Sequence, residues 1–242
     1  MEIPLFTNVS DKFLLMEFDG ASKSETTDKI TQLYYLLKSL ELRGVLDIIP
    51  AVSSIGVFYD PIYWIKQGPY RSSAKNIVEC IVAEIKTISP VFSIPKKKRL
   101  VIPVVYGGEY GEDLEDLAKQ LNLNPKEFIK IHVQEVYRVL MIGFVPGFPY
   151  LGPLPLRLNC SRKSTPRARV PTGSVAIAAG MTGIYPGPYP GGWNLIGRTN
   201  ISMFSLTDPQ LCKLKVGDEV RFVSIAESEF KRPRGELIDN RY

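Results

Sequence analysis

Residue types that commonly build metal centres and disulfide frameworks are scarce in this sequence. One histidine, His132, and three cysteines, Cys80, Cys160 and Cys212, occur in 242 residues. Three widely spaced cysteines match neither a zinc site nor a disulfide framework, so we expect reduced thiols and no metal site.

Long apolar runs and familiar catalytic motifs are missing as well. Proline, glycine or charge interrupts every apolar run before the ~20 residues that a membrane span needs, and no basic-then-apolar leader opens the chain. The patterns GxxxxGK[ST], GxGxxG after a strand, HExxH and GxSxG do not occur. A self-contained nucleotide hydrolase, dinucleotide enzyme, zinc protease or serine hydrolase therefore lacks support. We expect a soluble cytoplasmic protein, without a membrane partner and without an isolated catalytic apparatus.

The charge balance gives only a mild preference for anionic partners. Thirty basic and 25 acidic residues leave a net charge of +5, without the clustering that nucleic-acid binding requires. The segment Asp116–Ile131 superficially resembles a helix-turn-helix, but its second helix is too short to project several base-reading side chains. We predict a small anionic ligand and no nucleic-acid partner.

Residues 1–97 predict a small two-layer α/β domain. Apolar patterns and turn residues predict four strands and two helices. The strands are Pro4–Val9, Phe13–Phe18, Val45–Ile49 and Ser54–Tyr59, and the helices run from a Thr26 or Thr27 cap to about Leu40 and over Ser72–Ile88. Two prolines and four basic residues in Pro90–Arg99 then indicate a solvated connection.

Residues 98–242 predict a β-barrel, because many short strands alternate with Gly/Pro turns and helices are few. The predicted strands are Leu100–Tyr106, Tyr137–Phe144, Ser174–Ala178, Asn200–Phe204 and Glu219–Ile225. Asp113–Leu121 predicts a short helix, and Asn124, Pro125 and Glu127 form a capping box that opens another. The expected fold class is α+β.

The stretch Met141–Thr199 concentrates glycine, proline, aromatic residues and cations, which is typical of ordered loops that carry a site. We expect the loops Val145–Pro149 and Tyr185–Trp193 to line one cleft. Guanidinium groups on rigid loops suit anions. The cations are Arg157, Arg162, Lys163, Arg167, Arg169 and Arg198. Gly191-Gly192-Trp193 has two interpretations, a close ligand approach beside a flat wall or a turn before a core tryptophan.

Three ordered motifs carry a family resemblance. They read GFVPGFPYLG from Gly143, RKSTPRARVPTGSVAIA from Arg162 and TGIYPGPYPGGWNLIGRT from Thr182, with IPVVYGGEYGEDL upstream from Ile102. The chain resembles the family that includes the B subunit of prokaryotic 5-oxoprolinase, the sporulation-kinase inhibitor KipI and allophanate hydrolase subunit 1. The resemblance implies a cyclophilin-like barrel that shares a composite site with a partner like the 5-oxoprolinase C subunit, beside a protein like its A subunit. It also extends to the carboxyltransferase region of urea carboxylase.

The same resemblance implies ATP-dependent opening of 5-oxoproline to glutamate, with ATP activating the amide oxygen and with no activity from this chain alone. Catalytic candidates are His132, Arg167 and Arg198. Substrate-binding candidates are Pro146, Gly147, Phe148, Arg169, Gly191, Gly192 and Trp193.

His132 has two interpretations, either a proton-transfer group or a structural tie at a helix end, where the dipole favours a protonated ring. We further predict that His132 and Arg198 face one cleft. Ala179, Met181 and Asn200 depart from the family pattern, which has glycine, glutamine and proline there. A thioether cannot donate an amide's hydrogen bonds, so a diverged substrate stays open. A protein-binding regulator that resembles a histidine-kinase inhibitor is the alternative function.

Overall fold

The computed structural model describes residues 4–18, 23–68, 96–208 and 210–230, with the isolated positions 76, 79, 80 and 83. Two compact units make up the chain, Met1–Lys96 and Lys97–Tyr242. The sequence places the division one residue later, after residue 97. Among the described residues, no helix combines the length and apolar character needed to cross a membrane.

The first unit contains a four-stranded antiparallel sheet in the order β1-β2-β4-β3. Its elements are β1 (Leu5–Ser10), β2 (Phe13–Glu17), α1 (Lys23–Ser39), β3 (Val45–Pro50), β4 (Ser54–Tyr59) and α2 (Pro61–Ile65). Alternate residues of β2 and β4 pack with the apolar stripe of α1, since strand and helix periods each bring one face inward. Leu14, Met16, Ile55, Val57 and Ile30 are buried there.

Two helices were predicted for this unit. One begins earlier in the structure than predicted, and the other lies outside the described residues. Thr26 and Thr27 do not cap α1, because the helix begins at Lys23 and both threonines are buried inside it. The backbone carbonyl of Thr27 accepts a hydrogen bond from Thr31 Oγ1 at 2.8 Å, as in a helix interior. The predicted helix Ser72–Ile88 and most of the connection Pro90–Arg99 lie outside the described residues.

The second unit is a closed barrel of seven strands in the order β10-β5-β11-β6-β7-β9-β8. Only the β5–β11 pair is parallel among its strand pairs in the described residues. The strands are β5 (Arg99–Tyr106), β6 (Val136–Ile142), β7 (Pro149–Gly152), β8 (Ser174–Ala178), β9 (Met181–Ile184), β10 (Asn194–Arg198) and β11 (Glu219–Ser224). The helices are α3 (Leu114–Gln120), α4 (Pro125–Gln134) and α5 (Glu227–Phe230). The predicted α+β class with a C-terminal barrel is confirmed.

Local signals in this unit have mixed outcomes. The Asn124 cap is confirmed, because its Oδ1 accepts the Glu127 N–H at 2.9 Å. The strand predicted over Asn200–Phe204 is wrong, since this segment is a loop with an isolated bridge between Phe204 and Cys212. Arg99 is also not part of a solvated connection, because it starts β5.

Candidate functional site

The loops of the Gly/Pro-rich stretch meet around a pocket of about 270 Å³. Its lining consists of Phe144, Phe148, Tyr150, Arg162, Lys163, Pro166, Tyr185, Pro190, Gly191, Gly192 and Trp193. The predicted cleft shared by Val145–Pro149 and Tyr185–Trp193 is confirmed. Four of the predicted substrate-binding residues, Phe148, Gly191, Gly192 and Trp193, lie in it.

An aromatic wall forms one side of this pocket. The ring of Phe148 lies edge-on to Tyr150, Tyr185 and Trp193, with centroid separations of 4.9, 5.1 and 5.6 Å. Edge-to-face contacts favour one arrangement of the rings and hold the wall rigid. Trp193 is only 5% exposed, yet its ring also borders the pocket. The buried tryptophan fits the interpretation of a turn before a core residue, and a Cβ at Gly191 would collide with Tyr185. The close approach of a ligand stays a prediction.

The pocket lining also has a basic part. Arg162 and Lys163 line it, and Arg162 is exposed with no ion pair among the described residues. Burial raises the pKa of the Tyr150 phenol, an effect that nearby Arg162 reduces without reversing, so the hydroxyl stays protonated at neutral pH. That hydroxyl has no hydrogen-bond partner in the part of the chain that the structure describes. The pocket thus offers an aromatic surface, a cation and a neutral donor.

Asp113 connects this basic part to the barrel. Its Oδ1 accepts from Lys163 Nζ at 2.7 Å and from Arg167 Nη2 at 2.8 Å, and its Oδ2 accepts from the Leu195 N–H at 2.7 Å. Burial acts to raise the pKa of this carboxyl, but the hydrogen bonds from Arg167, Lys163 and Leu195 outweigh it and lower the pKa. Asp113 therefore stays ionised. Sequence reasoning missed it, although it belongs to the upstream motif from Ile102.

Arg167 lies next to the pocket rather than in its lining. Its backbone exchanges two hydrogen bonds with Gly191, at 2.9 and 3.0 Å. Its Nη2 contacts Asp113 and, at 3.3 Å, Glu112, whereas its Nη1 is buried without a partner in the described structure. A buried guanidinium nitrogen without a partner is unusual in a folded protein. Because Nη1 is buried, it is not open to a ligand in the pocket.

Three other predicted residues do not line the pocket. Pro146 and Arg169 are exposed. Gly147 has φ 82°, and a Cβ there would lie 2.6 Å from the Cβ of Phe204 and 3.1 Å from the carbonyl oxygen of Met203. The group that approaches Gly147 closely is therefore another part of this chain. The prediction that a ligand comes close to the backbone at Gly147 is not supported.

Arg198 lies at the end of β10, away from the pocket lining. Its guanidinium carbon is 5.5 Å from the centre of the Tyr110 ring, a cation–π distance, and its Nε is buried without a described partner.

His132 is fully buried in the barrel interior. Its ring stacks near Tyr137 and Phe222, with centroids 5.3 and 4.7 Å away. Because it is 0% exposed, it faces no cleft, and the predicted shared cleft with Arg198 is wrong. Burial lowers the pKa of its imidazole to about 3, so the predicted protonated ring is wrong too.

A hydrogen-bonded chain fixes the tautomer of His132. The Thr182 hydroxyl donates to the Ala176 carbonyl at 3.2 Å, so its oxygen is free to accept from His132 Nε2, 3.1 Å away. Nδ1 then lacks a proton and accepts from the Tyr106 hydroxyl at 2.8 Å. Both ring nitrogens are satisfied inside the core, as the structural interpretation of this histidine requires.

Of the three departures from the family pattern, Met181 lies beside the aromatic wall, whereas Asn200 is exposed and donates to the Phe230 carbonyl at 2.6 Å. Ala179 has φ 50°, a left-handed conformation that glycine adopts at lower cost. Met181 is half-buried and packs against the cluster that contains Phe148 and Trp193. Methionine therefore fills space beside the wall at this position.

Comparison with known proteins identifies the family. The family model of the carboxyltransferase domain, subdomain C and D, matches residues 4–214. The chain belongs to this family. It is 44% identical over 228 residues, 92% of this chain and 93% of the relative, to a Bacillus subtilis protein named as the B subunit of 5-oxoprolinase.

Solved structures agree on the fold. The protein TTHA0988 is 30% identical with a TM-score of 0.73, and the match covers 89% of this chain and 40% of that one. The present chain thus spans less than half of that structure. The Kluyveromyces lactis urea amidolyase superposes with a TM-score of 0.72 at 18% identity, covering 93% of this chain and 15% of that one, which shows a common fold.

Proposed function

We propose that this family member is the B subunit of an ATP-dependent 5-oxoprolinase, and that its pocket supplies one half of a site completed by a partner like the C subunit of that enzyme. The observation that carries the proposal is the pocket, because the three motifs shared with the family supply all eleven residues of its lining. The extent of the match to the Bacillus subtilis protein, which bears the name of that subunit, supports it further.

The chemistry of the pocket suits a small ring that carries a carboxylate. The lactam ring would pack against the aromatic rings of Phe148 and Trp193. Arg162 would bind the carboxylate through charge-assisted hydrogen bonds. The neutral Tyr150 hydroxyl would donate to an oxygen of the substrate. These groups bind and orient the lactam while excluding water from one of its faces.

A separate site for ATP is supported by the small volume of this pocket. Its volume of about 270 Å³ is below the roughly 300–1,000 Å³ typical of sites for drug-sized ligands. We therefore propose that ATP binds in the assembled enzyme, outside this pocket, and that the residues of the pocket act on the lactam alone.

The predicted catalytic residues contribute unequally to this proposal. Arg167 is retained beside the pocket, where its positive charge would favour an anionic ligand. Arg198 lies elsewhere on the barrel, and His132 acts within the core, so a proton transfer to substrate by His132 would require the barrel to open.

Reconstitution tests the function. The chain would be purified alone and together with the proteins that correspond to the A and C subunits of 5-oxoprolinase, and glutamate release from 5-oxoproline would be measured with and without ATP. We expect glutamate only from the complete mixture with ATP. ATP-independent release, or no release from the complete mixture, would contradict the proposal. Binding to a histidine kinase without turnover would instead support the regulatory alternative.

A matched pair of variants tests the pocket. Arg162→Gln removes the cation that lines it, and we expect KM for 5-oxoproline to rise about 10-fold or more because a charged hydrogen bond contributes about 1.5–3 kcal/mol. Arg157→Gln is the control, since Arg157 pairs with Glu127 at 2.7 Å on the surface and lies outside the lining. Equal effects of both changes on KM would remove Arg162 from the site.

A further inference from the structure

The carboxylate of Asp113 does not cap the helix that follows it. Asp113 immediately precedes α3, where an aspartate commonly accepts a hydrogen bond from the first turn of its own helix. Here its side chain makes no such bond. It reaches instead to Lys163, Arg167 and Leu195, which lie 50, 54 and 82 residues further along the chain.

The two oxygens of this carboxylate accept hydrogen bonds from different partners. Oδ2 and the backbone of Asp113 hold β10, because Leu195 donates its N–H to Oδ2 and accepts the Asp113 N–H at 3.0 Å. Oδ1 is then left for the two cations alone. A carboxylate fixed in this way presents one oxygen at a defined position relative to the barrel.

The cations that Asp113 holds belong to a basic loop, Arg162–Arg167, that is already tied to the pocket wall. Lys163 donates its backbone N–H to the Gly192 carbonyl at 2.8 Å, and the Arg167 backbone pairs with Gly191. The main chain fixes where the basic loop runs, whereas Asp113 fixes where its charged side chains point.

We propose that Asp113 is a positioning residue for substrate: it holds the Lys163 side chain in the pocket lining and fixes the Arg167 guanidinium beside it. This inference rests on the proposed function for the identity of the substrate. Asp113 also balances part of the charge on two neighbouring cations, so Arg162 is left as the pocket-lining cation with no described carboxylate partner.

Asp113→Asn is the decisive variant. Asparagine keeps an oxygen that can accept from the Leu195 N–H but loses the charge that holds the two cations. Glu112→Gln is the matched control, because Glu112 is an adjacent carboxylate, 55% exposed at its side chain, with one 3.3 Å contact to the same Arg167. Hydrogen exchange of the full chain would be compared for the segments 161–169 and 191–195 and for the barrel strands.

We expect Asp113→Asn to speed exchange in those two segments at least several-fold, to leave the barrel strands and Tm nearly unchanged, and to weaken 5-oxoproline binding about 10-fold by calorimetry. Glu112→Gln should match wild type in all of these measurements. Unchanged exchange in Asp113→Asn, or faster exchange across the whole barrel with a lower Tm, would overturn the proposal.

The two hypotheses fail in different ways. If the wild-type chain does not bind 5-oxoproline, alone or in the assembled enzyme, the proposed function fails, while the exchange data still decide whether Asp113 positions the basic loop. If Asp113→Asn does not fold, Lys163→Met and Arg167→Met carry the same test, because each leaves the Asp113–Leu195 contacts in place. Normal exchange in both of these variants would overturn the positioning role.

Discussion

At the scale of single residues, the surroundings of His132 oppose its protonation. Its folded pKa of about 3 lies far below the ordinary 6.5. Between these values the unfolded chain binds a proton that the folded chain does not, so stability falls as pH decreases from about 6.5. The slope is at most about 1.4 kcal/mol per pH unit.

The corresponding prediction compares wild type with His132→Gln. The variant should be less stable at pH 8, because a buried hydrogen-bonded ring is lost, but its stability should change less between pH 7 and pH 5. Urea unfolding midpoints at several pH values measure both effects. Parallel pH profiles for the two proteins would show that His132 is not the titrating group.

Residue-scale reasoning from the sequence had uneven success at the site. Phe148 and the Gly191–Trp193 turn were predicted correctly as part of one cleft. Glycine next to aromatic residues indicates a tight turn or a close contact, and this signal is local in the sequence. Asp113 was missed, since its partners are distant in sequence and no local pattern links them. For the single histidine the sequence left open a proton-transfer group or a structural tie at a helix end, and the buried, hydrogen-bonded ring fits the structural tie.

At the scale of elements, local pattern predicted the strands that have enough length and apolar character to be recognised alone. Ser54–Tyr59 and Ser174–Ala178 have the predicted bounds. The strands β7, β9 and β10 were missed because they are four or five residues long and contain glycine. Pairing with neighbouring strands of the barrel defines them, as between Leu151 and Thr182. The strand propensity of a short segment does not predict that pairing.

The loop between β6 and β7 gives a prediction at this scale. Gly147→Ala would place a Cβ 2.6 Å from Phe204 at a residue with φ 82°. Strain and overpacking together should cost about 2 kcal/mol or more. Thermal unfolding should show this as a Tm lower by about 4 °C or more.

Gly143→Ala is the control for this loop. Nothing lies within 4 Å of a Cβ built there, and its φ is outside the left-handed range. We expect its Tm to stay within about 1 °C of wild type, because a surface substitution without strain changes stability by about 0.5 kcal/mol or less. Equal losses in the two variants would contradict the packing argument for Gly147.

At the scale of the whole molecule, each unit has its own sheet and its own apolar cluster. Composition predicted this division, because a proline-rich and then basic segment separates two different patterns of strands and helices. The barrel order was beyond prediction, since seven strands can pair in many ways and the sequence contains no repeat that selects one.

The start of the second unit yields the last prediction, which concerns trypsin cleavage within Lys96–Arg99. The sequence alone predicts that the whole run is sensitive. In the structure, Lys96 and Lys97 are exposed, whereas the Lys98 N–H donates to Asp218 Oδ1 at 3.0 Å and its carbonyl accepts from Glu219 at 2.9 Å. Arg99 follows in β5, with its guanidinium on Glu219 at 2.6 and 2.9 Å.

A protease must bind an extended segment whose backbone is free, so the paired residues should resist cleavage. We expect early cuts within this run after Lys96 and Lys97 and at least 10-fold slower cuts after Lys98 and Arg99, measured by mass spectrometry of timed digests. Asp218→Asn removes the charged acceptor for Lys98 and should expose the two slow positions. Cleavage of wild type at similar rates after all four residues would show that the barrel begins later than Arg99.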